Sequence, residues 1–128
     1  MKNFKLSLSI LPQKLAICRL NKNSPIPSWA KEDDYFSITK TDKELSIVCS
    51  QIKVPDNIKA EKDWRAFKIE GTLDFSLTGV LASLADPLAK ANISIFAIST
   101  YDTDYVLVKE DNLEEAKKVL SSFCNIKD

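Results

Sequence analysis

The chain has no histidine and only two glycines in 128 residues. Without an imidazole, histidine-based acid–base catalysis, histidine-assisted nucleophiles and most transition-metal sites are excluded together. Average usage would place about nine glycines in a chain this long, so Gly71 and Gly79 mark backbone positions where a Cβ is a hindrance. Net charge is missing as well. Lys plus Arg and Asp plus Glu number 18 each, so no long-range field draws in a polyanion, and neither nucleic acid nor an anionic membrane is an expected partner. The longest apolar runs, such as Ile95-Phe96-Ala97-Ile98, are far too short to span a bilayer, and the lysine-studded start leads into no signal-peptide core. A cytoplasmic location is expected. Cys18, Cys49 and Cys124 are odd in number, widely spaced and each preceded by an apolar residue, which fits buried reduced thiols and not zinc ligands or disulfides. No metal and no cofactor are expected.

What remains is a soluble, globular composition, 45% hydrophobic and 28% charged, long enough for one ordinary domain or two small modules sharing a core. Phe4, Leu6, Leu8 and Ile10 alternate with polar residues as in a half-buried strand, which Pro12 ends. Lys14 to Leu20 is a second strand, close enough to the first to form a hairpin. After a loop holding Pro25 and Pro27, and one helical turn around Trp29, Tyr35 to Thr39 and Leu45 to Cys49 read as further strands. Gln51 to Asp63, with Pro55 and six charged residues, is the only linker-like stretch. It divides the chain into expected modules at 1–60 and 61–128.

Beyond the linker, Trp64 to Ile69 is a strand. The glycine-bracketed segment from Gly71 to Gly79 leads into a helix from Gly79 to Ala91, with its apolar stripe at helical spacing and Pro87 inside it, where the lost donor to the Ser83 carbonyl predicts a kink. Ile93 to Ser99 and Tyr105 to Val108 are strands about a Tyr101–Asp104 turn. Asn112 and Glu115 have capping-box spacing before a last helix carrying Leu113, Ala116, Val119, Leu120 and Phe123. The order strand, helix, strand, strand, helix is the split βαβ, or ferredoxin-like, plan without its last strand. Residues 124–128 are too few for a typical strand of about five or six residues plus a connection. The segment Phe4 to Ile10 is therefore expected to complete the sheet and interleave the halves.

The run Asp74-Phe75-Ser76-Leu77-Thr78-Gly79-Val80-Leu81-Ala82-Ser83-Leu84, together with Pro87-Leu88-Ala89 and Ile98-Ser99-Thr100-Tyr101-Asp102-Thr103-Asp104-Tyr105, resembles the ACT domain. In the first half, Ala16-Ile17-Cys18-Arg19-Leu20, Ile26-Pro27-Ser28-Trp29 and Phe36 to Cys49 match too. The resemblance covers nearly the whole chain and is to the small tandem-ACT proteins of bacteria, which are similar to the ACT modules of aspartate kinases and of an animal cytosolic arginine sensor. It implies an α+β, ferredoxin-like βαββαβ fold in two interleaved modules with antiparallel sheets. The first module departs from the pattern, since it has no long amphipathic helix.

The resemblance further implies binding without catalysis, with a free amino acid held in the groove between the first strand-to-helix loop and a neighbouring module's strand, at the module interface. The expected ligand-binding residues are Leu77, Thr78, Gly79, Val80, Ser99, Thr100, Tyr101 and Asp104. A zwitterion's carboxylate suits exposed N–H groups at a helix start, where the dipole is positive, and its ammonium suits an acceptor such as Asp104 just beyond the strand end. A homodimer and an unidentified regulatory protein partner are also implied. The same residues have plainer readings. Asp74, Asp102 and Asp104 serve as turn formers, Ser99 and Thr100 as strand-edge polar groups, Tyr101 as a solvent-facing cover, and the glycine loop as a turn with no ligand. Two other functions compete: magnesium-dependent phosphotransfer through Asp102 and Asp104, and RNA binding on the shared split βαβ plan, for which the central strand offers only Phe96.

Overall fold

A computed structural model describes residues 6–71 and 79–127. Among these residues the strands are β1 (Leu6–Ile10), β2 (Leu15–Leu20), β3 (Ser37–Lys40), β4 (Leu45–Ser50), β5 (Ala60–Ile69), β6 (Phe96–Ser99), β7 (Asp104–Lys109) and β8 (Cys124–Lys127). The α-helices are α1 (Val80–Lys90) and α2 (Leu113–Ser121). By contacts the chain divides into one compact unit from Met1–Pro12 and Arg65–Asp128, and another from Gln13–Trp64. No helix among the described residues is long and apolar enough to cross a membrane.

In the first unit the two-residue period of β1 buries Leu6, Leu8 and Ile10 and turns Ser7 and Ser9 outward. β1 lies between two partners. It is antiparallel to the end of β5, with Leu8 opposite Ile69 and Ile10 opposite Phe67, and parallel to β8, from Leu6 opposite Cys124 to Ser9 opposite Lys127. β5 also pairs with β7, and β7 with β6, giving the order β8-β1-β5-β7-β6. Leu84 and Leu88 of α1 and Leu113, Ala116 and Leu120 of α2 pack with Phe67, Ile69, Val106 and Val108 in a single apolar cluster.

Four expectations about this unit need correction. Residues 124–127 do form a strand, because the chain leaves α2 almost directly into it. Phe123 donates to the Leu120 carbonyl at 3.1 Å, and Cys124 already pairs with Leu6. β1 and β2 form no hairpin; each instead uses β5, β1 at residues 67–69 and β2 at residues 60–64. The strand expected from Ile93 starts only at Phe96. Asn92 takes a left-handed φ of 64°, donating to Ala89 at 2.9 Å while Ile93 donates to Leu88 at 2.9 Å, so a Schellman cap uses up the intervening residues. Asn112 makes no side-chain cap, since the chain enters α2 through a 3-10 turn, Glu110–Asn112, that holds Asn112 out of the extended conformation a capping box needs. Pro87 is tolerated inside α1, which runs on to Lys90.

In the second unit β3, β4, β2 and the first half of β5 lie side by side in that order. β2 and β4 pair without interruption from Leu15 opposite Ser50 to Leu20 opposite Leu45. The unit has no α-helix, only 3-10 turns at Ser28–Lys31 and Gln51–Lys53. Its small core is Ala16, Cys18, Ala30, Leu45, Ile47 and Cys49, packed against Trp29, Ile38, Val54 and Ile58. The expected linker, Gln51 to Asp63, is structured: it holds the second 3-10 turn and the start of β5. Its six charged residues are exposed positions on the 3-10 turn, on the turn that follows it and at the start of β5, not the mark of a tether.

All three cysteines are buried and none is joined in a disulfide, as their apolar neighbours foretold. A hydrogen bond between the Cys18 and Cys49 thiols, reinforced by burial, pushes the Cys49 thiol well above its usual range, and the same bond draws Cys18 down. In the native protein all three thiols are expected to resist an aromatic disulfide reagent, and to react together once urea unfolds the chain. Rapid labelling of any of them under native conditions would contradict their burial.

Candidate functional site

The end of β5 carries the chain to the glycine segment. Ile69 is fully buried, and Glu70 donates its N–H to the Ser7 carbonyl at 2.8 Å. Gly71 then turns left-handed, with φ 84°. Residues 72–78 lie outside the described residues, so the expected site positions Leu77 and Thr78 are not placed. Gly79, the residue before α1, is also left-handed, with φ 77°. A Cβ built at either glycine meets no described heavy atom within 4 Å. Among the described residues the hindrance read from glycine scarcity is therefore conformational and not one of space, since left-handed φ is costly for any other L-residue.

The Gly79 carbonyl accepts the first α1 hydrogen bond, from Ser83 at 2.8 Å. No side-chain cap bond forms at this end. The N–H groups of the first turn, beginning with Val80, have no intrahelical acceptor and point at the positive end of the helix dipole.

The other side of the site is the turn joining β6 to β7. Ser99 and Asp104 stand opposite each other as the closing pair, and the Ser99 hydroxyl donates to the Asp104 carboxylate. Thr100 donates its N–H to the Thr103 carbonyl at 2.8 Å, and Thr103 returns its N–H to the Thr100 hydroxyl at 3.2 Å, leaving Tyr101 and Asp102 at the tip. Asp104 lies beyond the end of β6 as expected, but as the first residue of β7 and not the last residue of the turn. Tyr101 is 80% exposed.

Thr103, which the sequence did not single out, joins the two sides. It is buried, and its hydroxyl donates to the Ile69 carbonyl at 2.6 Å, two residues before Gly71. The only available signal was its spacing from Thr100, which matches a two-residue tip bridged by threonines. Thr103→Val keeps the shape and loses the donor. It is expected to cost about 1–3 kcal/mol, measured by urea unfolding, because a buried carbonyl loses its partner; an unchanged midpoint would show that the tether contributes nothing.

The arrangement offers helix-end donors, a carboxylate acceptor and hydroxyls. Asp102 is exposed at the tip, whereas Asp104 is half-buried and already bonded to Ser99, so the two aspartates occupy different settings. Among the described residues no three His, Cys, Asp or Glu side chains are grouped to hold a metal ion.

A mostly antiparallel sheet with two helices packed in one core, and the glycine-bracketed segment between the first strand and helix of its βαββα run, defines an α+β protein of ferredoxin-like fold. A family model described as the ACT domain matches residues 59–122. The chain belongs to the ACT domain family. A separate model, for an N-terminal domain, matches residues 13–57. The cytosolic arginine sensor for mTORC1 subunit 1 from Homo sapiens is 34% identical over 106 residues, covering 77% of this chain and 31% of that protein. The chain therefore spans about a third of the length of that sensor. A crystal structure of an Agobacterium tumefaciens protein is 35% identical with a TM-score of 0.91, covering 97% of this chain and 93% of that one. The regulatory subunit of aspartate kinase from Thermus thermophilus shares the fold, with a TM-score of 0.64 at 12% identity over 95% of this chain and 99% of that one.

Proposed function

We propose that the chain is a non-catalytic regulatory module that binds a free amino acid in the groove between the start of α1 and the β6–β7 turn. The Thr103–Ile69 hydrogen bond carries this reading, because it fixes the turn bearing Asp104 against the strand that leads to Gly71. In this groove the ligand carboxylate is received by backbone N–H groups at Leu77, Thr78, Gly79 and Val80. Its ammonium is received by Asp104, with Ser99 and Thr100 beside it and Tyr101 as a cover. The relatives named as arginine sensors support an amino acid as the ligand class and make arginine the first to test. The protein acts in the cytoplasm through a separate regulatory partner or through self-association.

A thermal-shift screen against the twenty standard amino acids tests the proposal. A ligand at a hundred times its dissociation constant adds about 2.7 kcal/mol of stability, a clear rise in melting temperature. No shift with any of them would contradict amino-acid binding, and turnover in a magnesium-dependent phosphatase assay would restore the enzyme reading.

The chain is also proposed to form a homodimer. Among the described residues β6 pairs with β7 alone, leaving an edge whose backbone groups a two-fold partner can satisfy. Light scattering is expected to give twice the monomer mass of 14.4 kDa. A monomer at high concentration, with and without ligand, would contradict this.

A further inference from the structure

The unit formed by Gln13–Trp64 contains a cleft of about 570 Å³, within the size range of small-molecule sites. Lys14 and Lys62 line it together with Asp56, Gln51, Ile52 and Val54. Three features distinguish it from a chance surface hollow. First, a strained residue adjoins its wall: Asp63, which follows the lining residue Lys62, has φ 68°, a conformation that costs an aspartate roughly 1 kcal/mol. Second, the strain is held in place by a specific network. Gln51 donates from Nε2 to the Asp63 carboxylate at 3.0 Å and accepts the Asp63 N–H on Oε1 at 2.5 Å, while Lys14 Nζ lies 3.7 Å from the same carboxylate. Third, Ile52 is 89% exposed, the most exposed large apolar side chain among the described residues.

The strain has a visible geometric effect. β2 and β5 shift register between Leu15, opposite Trp64, and Ile17, opposite Glu61. Such irregularities re-aim side chains, and Lys62 lies within this one, on the cleft wall. Charge then restricts the ligand. Two lysines are balanced by Asp56 and Asp63, so a simple anion gains little net attraction, whereas a molecule with both charges meets a complement at each end.

We infer that this cleft is a second ligand site, separate from the α1 groove, that takes a small zwitterion of the α-amino-acid type. Lys62 faces the carboxylate, Asp56 faces the ammonium, and Ile52 and Val54 cover the aliphatic part of the side chain. Lys14 and Gln51 act through Asp63, holding the bulge that positions Lys62. The site does not depend on the α1 groove, since none of its residues belongs to that unit.

The test is an amide-resolved NMR titration of the full chain with each of the twenty standard amino acids at about 10 mM, enough to saturate a site with a dissociation constant of ~1 mM. At least one amino acid is expected to move the amides of Gln51, Ile52 and Lys62, and to do so equally in Asp104→Ala, which impairs only the α1 groove. Lys62→Gln and Asp56→Asn, both at exposed positions, are each expected to weaken that response about tenfold with the rest of the spectrum unchanged. Shifts confined to Val80 and Ser99–Asp104 would overturn this site while supporting the first; shifts confined to the cleft would do the reverse. The inference also falls if no amino acid moves the cleft amides, or if both variants respond like the parent.

Discussion

A chain that begins at residue 61 is expected to lose cooperative folding. β1 is an interior strand of the unit that contains both glycines, flanked by β5 on one side and β8 on the other. Removing it takes Leu6, Leu8 and Ile10 out of the apolar cluster and strips both neighbours of their hydrogen-bonding partner. Burial of three such side chains contributes about 5–9 kcal/mol, comparable with the whole net stability of ~5–15 kcal/mol of an ordinary domain. The residual fragment would also expose two sheet edges, a template for aggregation. In the intact chain, Leu8→Ala is expected to cost about 2–5 kcal/mol, because Leu8 has no exposed surface. Circular dichroism melts and light scattering decide the fragment's fate. A monomeric fragment with a single cooperative transition would show that β1 is dispensable.

Loss of ligand binding in Asp104→Ala is the other large expected effect. Truncating one partner of a buried charge pair costs about 2–5 kcal/mol, at least thirtyfold in affinity. The bound ammonium would face a Ser99 hydroxyl that has itself lost its acceptor. Gly79→Val should weaken binding too, by placing a branched side chain where the carboxylate approaches. That residue's φ of 77° makes the valine strained, so about 1–2 kcal/mol of stability is expected to go with it. Calorimetry well below the melting temperature separates the two effects in the glycine variant. If both variants bind an amino acid found in the thermal screen as tightly as the parent, the groove is not its site.

Local periodicity made much of the fold readable. The alternation around Leu6, Leu8 and Ile10 and the stripe of Leu113, Ala116 and Leu120 each require burial on one face, and each is buried there. The features that were missed depend on tertiary pairing. A four-residue strand such as β8 carries no period of its own and exists because β1 offers it a parallel edge. The end of the charged stretch before Trp64 is the start of β5, whose polar residues face outward from a ladder invisible in the sequence. At the site, Gly79 was legible because glycine is so scarce here, and its left-handed φ explains the choice. Thr103 was not legible, because nothing in a threonine within a turn reveals that its hydroxyl meets the carbonyl of residue 69.

The amino-acid groove is tested most directly by a crystal structure of the chain grown with the amino acid that gives the largest thermal shift. The expected result is a carboxylate within about 2.7–3.2 Å of the Val80 N–H, and an ammonium at the same range from the Asp104 carboxylate. A ligand bound elsewhere, with the start of α1 and the β6–β7 turn both empty, would contradict it.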